Sequence, residues 1–290
     1  MTRRSSDSVY EDAQERLERF ARRDHEGISE LGRTLVFDHG HRTERATLLF
    51  HGLSASPRQF IEVAQSLHAR GHNVFVPRLP RHGYNDRLSD ALAQMNVRQL
   101  KACAEESLRI VRGLGERVCV SGFSLGGLLA AYLGQVHHVY RIVAIVPFMG
   151  VAFVPSAFRL RLANWVLARP NRFLWWDPIA RERQLPAHGY PRYASHAIAH
   201  GLALAHEVLD DAYRHAPKAE ELVVAINVRE PAVSNSAIMA LVNHWNAHTG
   251  GAVRVHRFTD LPIAHDIIEP KRYPDVAQRV APVIVELIDA

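Results

Sequence analysis

The most restrictive stretch of this sequence is Cys119-Val120-Ser121-Gly122-Phe123-Ser124-Leu125-Gly126-Gly127-Leu128, where an apolar strand-like run breaks into Gly-x-Ser-x-Gly and continues as a helix-like run. A serine seated on so sharp a strand-to-helix turn has a strained backbone, and side chains two residues to either side would collide. Gly122 and Gly126 remove those side chains. The same geometry lifts the Ser124 hydroxyl clear of the sheet and points the Leu125 N–H, at the start of the following helix, toward an incoming carbonyl oxygen. The five residues also fit a helix-start serine between turn glycines; the strand before and the helix after favour a nucleophile seat.

A chain of 290 residues with 47% hydrophobic content supports one large domain or one domain carrying an insertion. Its two cysteines, Cys103 and Cys119, fall in a helix-like run and a strand-like run. They do not make a disulfide framework and point to a reducing compartment. Met1 to Glu30 is rich in Arg, Glu and Asp and has no apolar core segment, so neither a signal peptide nor an integral membrane segment is expected, and the protein is expected in the cytosol. The net charge of +5 and pI near 9.5 come from arginines dispersed among acids. That dispersal favours solubility over nucleic-acid binding, and no nucleic-acid partner is expected.

In chain order, Tyr10, Ala13, Leu17 and Phe20 are spaced as one face of a docked N-terminal helix. Arg33 to Phe37 and Ala46 to Phe50 are short β-prone runs separated by Asp38-His39-Gly40-His41, which reads as a hairpin. His51-Gly52-Leu53-Ser54 follows the second run directly, ahead of a helix-like stretch from Pro57 to Ala69. An oxyanion needs two convergent backbone donors, one of them from a loop outside the nucleophile turn. The Leu53 N–H is that candidate beside Leu125. Gly52 permits close backbone approach, and His51 is expected to brace the loop rather than titrate.

With these residues placed, the chain resembles the α/β-hydrolases, and among them the carboxylesterase and monoacylglycerol-lipase-like members that carry His-Gly followed by an apolar residue after an early strand. Asn73-Val74-Phe75-Val76, with the loop running to His82-Gly83, resembles that family's next strand and its following loop. The resemblance implies a mostly parallel central sheet flanked by helices. Strand-like runs at Val118–Ser121, Arg141–Val146 and Glu221–Val228, separated by helical stretches, agree with βαβ units. One of those stretches, Leu88 to Gly113, reads as a single helix. From Phe148 to about Ala219 the chain turns rich in Trp, Arg, His and Pro with helical periodicity, and reads as an inserted cap over the C-terminal ends of the strands. The expected organisation is a core of residues 1–147 and 220–290, with 1–30 as a helical extension and 148–219 as the cap.

The family places an acid after the strand that ends near Val228, and Glu230 holds that position in place of the more usual Asp. The family's other acid position offers only Pro147, Phe148 and Met149. A histidine in the loop after the last strand is where this architecture supplies its base, which selects His265 among eighteen histidines. Its neighbour Asp266 is expected to secure that loop or cap the final helix. The order Ser124, Glu230, His265 is the nucleophile, acid, base order of the fold. The implied activity is hydrolysis of small-molecule acyl esters by a serine esterase of carboxylesterase or lipase type. The same residues would serve a thioesterase, amidase, acyltransferase or C–C hydrolase, and a non-catalytic ligand-binding member typically lacks the Ser or His. His196-x-x-x-His200 and His244-x-x-x-His248 have one-turn spacing but lack the Glu of His-Glu-x-x-His. No metal and no cofactor is expected.

Overall fold

Unalternating apolar runs need cover on both faces, which a parallel sheet sandwiched between helices provides. The computed structural model describes residues 6–184 and 186–290. Its sheet contains β1 (Leu35–Phe37), β2 (Thr43–Phe50), β3 (Asn73–Val76), β4 (Gly115–Phe123), β5 (Arg141–Ile145), and, after a long excursion, the strands Glu221–Asn227 and Arg254–Phe258. Ala46 to Phe50, Val74 to Val76 and Ile142 to Ile145 are essentially inaccessible to solvent, as that arrangement requires.

Helices α1 (Ser6–Ala21), α2 (Ile61–Ala69), α3 (Val97–Leu114) and α4 (Leu125–Val136) connect or cover the first five strands. The N-terminal helix is docked: Ala13, Leu17 and Phe20 are buried, with the Phe20 ring edge-on to Phe75 at 5.4 Å. Helix α3 begins at Val97 rather than near Leu88, because the Asn96 side chain accepts from the Gln99 N–H and caps it, while Ala91–Gln94 forms a separate 3-10 turn.

Between β5 and Glu221 the chain leaves the sheet. It forms α5 (Arg159–Leu167), a two-stranded antiparallel ribbon of β6 (Phe173–Trp175) and β7 (Arg192–Ala194), and α6 (Ser195–Arg214). The helical periodicity read across this segment therefore fails at Phe173–Trp175, where alternate side chains of a short ribbon mimic an aromatic helix face. The chain returns as β8 (Glu221–Asn227), α7 (Asn235–Thr249), β9 (Arg254–Phe258) and α8 (Pro274–Asp289).

The strand order is β1-β3-β2-β4-β5-β8-β9, antiparallel only at β1. This overturns the hairpin expected of Arg33–Phe37 and Ala46–Phe50, since β3 lies between β1 and β2. The burial pattern supplies the reason. Ala46 to Phe50 is buried on both faces and sits between two parallel neighbours, whereas β1 is half-buried throughout and fits only an edge.

Candidate active site

Strand β4 ends in the centre of the sheet, and Ser124 follows it with φ 54° and ψ −111°. Three backbone contacts hold this strained residue: its N–H donates to the Ile145 carbonyl at 3.0 Å, and its carbonyl accepts from Leu128 at 2.9 Å and Phe148 at 2.9 Å. The glycines are sterically required. A Cβ on Gly122 would run into the Gly126 carbonyl, and one on Gly126 into the carbonyl of Phe50.

His265 stands in the loop beyond β9, with Nε2 3.0 Å from Ser124 Oγ and Nδ1 2.8 Å from Glu230 Oε1. Partner chemistry sets the tautomer, because a carboxylate only accepts: Nδ1–H donates to Glu230 and Nε2 accepts from the serine hydroxyl. The Glu230 side chain is fully buried in the loop after β8, and its Oε1 also accepts from the N–H groups of Ala232 at 2.8 Å and Val233 at 3.1 Å. Burial by itself pushes the His265 pKa down. The hydrogen bond and the charge of Glu230, with Asp266 adding to them, outweigh that and leave it above the ordinary 6.5.

Asp266 pairs with Arg272 at 2.8 Å, which fastens the loop; helix α8 begins without a side-chain cap from it. The imidazole's Nδ1 is taken by Glu230, and the Asp266 carboxylate bonds Arg272 instead.

The loop after β2 is built around two neutral histidines. His51 Nε2 accepts from the Leu79 N–H at 3.1 Å, and its Nδ1 lies 2.9 Å from the Gly52 carbonyl. His82 Nε2 accepts from the Ser54 N–H at 3.1 Å. Burial, with His82 next in weight, drives the His51 pKa far below its usual value; burial likewise pushes His82 down to about 4. Both rings are structural acceptors at neutral pH. Gln59 Oε1 takes the Gly52 N–H at 2.9 Å. The Leu53 N–H has no partner among the described residues, and the Leu125 N–H opens its helix, where no preceding turn supplies a carbonyl.

Two cavities meet at Ser124, and Leu53, Trp176, Pro231, Ala232 and His265 line both. One, of about 460 Å³, is apolar, with Phe148, Val151, Leu162, Val166 and Ile198 in its wall. The other, of about 190 Å³, carries Arg87, Asp266, Glu269 and Arg272. Among the described residues no group of three or more His, Cys, Asp or Glu side chains is arranged to hold a metal. His196 Nε2 lies 2.8 Å from the Arg169 carbonyl and His248 Nε2 3.3 Å from that of Tyr213.

Several positions escape sequence reasoning. Asn227, the last residue of β8 and fully buried, donates from Nδ2 to the Pro262 carbonyl at 3.1 Å and the Ala264 carbonyl at 2.9 Å, tying the His265 loop to the strand that leads into the Glu230 loop. A polar residue closing an otherwise apolar strand was the available signal. Ser54, with φ 62°, accepts from Trp176 Nε1 through its hydroxyl at 2.6 Å and from the Tyr190 N–H through its carbonyl at 2.7 Å. Nothing in the sequence marks that pairing.

Comparison with known proteins agrees with this architecture. The profile of the Alpha/beta hydrolase family matches residues 47–282. A thermostable monoacylglycerol lipase of Bacillus sp. strain H-257 is 30% identical over 111 residues, a match spanning 38% of this chain and 42% of that relative. Matching under half of the relative's length, it bears on one part of the chain. Among solved structures, the monoacylglycerol lipase of Paleococcus ferrophilus superposes with a TM-score of 0.63 at 19% identity, covering 88% of this chain and 97% of that one. A soluble variant of the Saccharomyces cerevisiae monoglyceride lipase, in complex with a substrate analogue, gives 0.67 at 10% identity, covering 88% and 91%. At these identities the superpositions speak for the fold alone.

Proposed function

We propose that this chain, which belongs to the alpha/beta hydrolase family, is a serine hydrolase of carboxylic esters working through Ser124, His265 and Glu230. The observation that carries the reading is the unbroken chain from Ser124 Oγ through His265 to Glu230, at 3.0 Å and 2.8 Å, placed where the two cavities join.

In acylation, His265 Nε2 takes the proton of Ser124 Oγ as that oxygen attacks the ester carbonyl. The carbonyl oxygen becomes an oxyanion, held by the N–H groups of Leu53 and Leu125. Collapse breaks the carbon–oxygen bond to the alcohol, which leaves with the proton from His265. Water, deprotonated by the same imidazole, then releases the acid and regenerates the serine. Glu230 keeps Nδ1 protonated, so that Nε2 is the basic nitrogen, and stabilises the imidazolium formed in each half-reaction.

The polarity of the cavities orients the ester. Its acyl chain enters the apolar cavity, whose volume of about 460 Å³ falls within the range of small-molecule pockets, and its alcohol faces the charged one. We read residues 148–219 as the cap that supplies much of the apolar wall, including Leu162, Val166 and Ile198. The free, buried Cys103 and Cys119 support a reducing, cytosolic setting. A series of p-nitrophenyl esters of increasing acyl length tests the substrate class. The expected result is turnover of esters with kcat/KM rising with chain length until the cavity is full; absence of ester turnover by folded protein contradicts the reading.

A further inference from the structure

Apolar side chains on a monomer are ordinarily covered when they are large and numerous in one region. Here Phe153 is 98% exposed, Ile179 90% and Ile263 74%, with Phe158, Trp165 and Leu174 also exposed. Three of them stand at the site. Phe153 and Leu174 stand at the apolar cavity that reaches Ser124, and Ile263 stands at the charged one. Trp165 shares a third concavity with Arg169 and Arg172, and Val166 and Ser195 line both that concavity and the apolar cavity, so the two adjoin.

Charge is distributed to match. Residues 150–184 contain six arginines against Asp177 and Glu182, a net of +4 in a chain whose whole net charge is +5. Arg161, Arg169, Arg172, Arg181 and Arg183 are exposed, and none of the five forms an ion pair among the described residues. Arg161 and Trp165 lie one turn apart on α5, and Arg169 follows just past its C-terminal end; all three are exposed, with the Arg169 guanidinium 5.3 Å from the centre of the Trp165 ring. Exposed arginine beside exposed tryptophan is the composition that settles at the boundary between anionic headgroups and acyl chains.

We infer that this rim is a docking surface for an anionic phospholipid bilayer. The arginines meet the headgroups, and Phe153, Trp165 and Ile179 enter the acyl boundary. The apolar cavity then opens against the membrane, so that a lipid-borne acyl chain reaches Ser124 without crossing water. Surface binding stands apart from the esterase reading; only the delivery of substrate rests on it.

Sedimentation of the full chain with vesicles tests the inference. Binding to vesicles of mixed phosphatidylglycerol and phosphatidylcholine is expected, with little binding to phosphatidylcholine alone, and with release as salt approaches about 1 M, where the screening length is about 3 Å. The triple variant Arg161→Glu, Arg169→Glu, Arg172→Glu should lower partitioning at least about 100-fold, and Trp165→Ala about tenfold. Hydrolysis of a water-soluble short ester should stay unchanged in both, since these side chains lie outside the two cavities at Ser124. Equal binding to both vesicle types, or to neither, overturns the inference. So does self-association by light scattering that the same variants abolish, which would make the rim an interface between two copies. Vesicle binding without ester turnover would leave this inference standing and remove the esterase reading.

Discussion

The indole N–H of Trp176 donates to the hydroxyl of Ser54 across 2.6 Å, joining the segment between β5 and β8 to the residue that directly follows Leu53. Ser54 also gives its N–H to His82 Nε2 and its carbonyl to the Tyr190 N–H. The backbone of the Leu53 loop is thus clamped between the core and the segment above it, and the loop's donor is placed by both. Ser54→Ala removes the Trp176 bond alone. It should lower kcat by about tenfold, the effect of losing about 1.4 kcal/mol of oxyanion positioning, with KM for a short ester within about twofold. Steady-state kinetics on p-nitrophenyl acetate checks this, and a change confined to KM would show that the contact serves binding only.

Glu230 is buried and spends Oε1 on His265, Ala232 and Val233 together. Glu230→Gln keeps the shape but can present an amide donor to Nδ1, favouring the wrong tautomer. A fall in kcat of about 10³- to 10⁴-fold is expected, on the scale seen when the acid of a serine-protease triad is made neutral. Near-normal turnover would move the acid's role to another carboxylate.

The pH profile follows from His265, which acts as base only when neutral. Its pKa lies above 6.5 because Glu230 outweighs burial, so kcat/KM should rise with pH through a midpoint above 6.5. Removing the charge in Glu230→Gln leaves burial, which favours the neutral ring, and the residual activity should show that limb displaced to lower pH. A displacement to higher pH would contradict the assignment of Glu230 as the partner that raises it.

Asn227→Ala deprives the part-buried carbonyl of Pro262 and the buried carbonyl of Ala264 of a shared donor. Loss of about 2–3 kcal/mol of stability is expected, together with reduced kcat, because the loop that carries His265 is freed. Urea unfolding read beside ester turnover separates the two effects. An unchanged unfolding midpoint would mean that water replaces the amide without cost.

The sheet and the turn that seats Ser124 were legible because each left a local signature. Ser124 sits between glycines that the steric crowding of its turn demands, and the buried strands show as unalternating runs. His265 and Glu230, which the structure brings together with Ser124, were selected by their order along the chain once the resemblance was in hand; spacing alone carries no such information. What escaped depends on contacts between distant segments. The Arg33–Phe37 run has a turn-rich link to its successor, yet the burial demand of Ala46–Phe50 separates them by β3. The Trp176 to Ser54 bond spans 122 positions, and no periodicity encodes it. The ribbon pairing of Phe173–Trp175 with Arg192–Ala194 was hidden by the short length of its strands.

The central claim, that Ser124 is a nucleophile activated by His265, is tested most directly by fluorophosphonate labelling followed by intact-protein and peptide mass spectrometry. One adduct is expected on the peptide that carries Ser124, absent from Ser124→Ala and strongly slowed in His265→Ala. Labelling that persists in Ser124→Ala, or no labelling of folded wild-type protein, would contradict it.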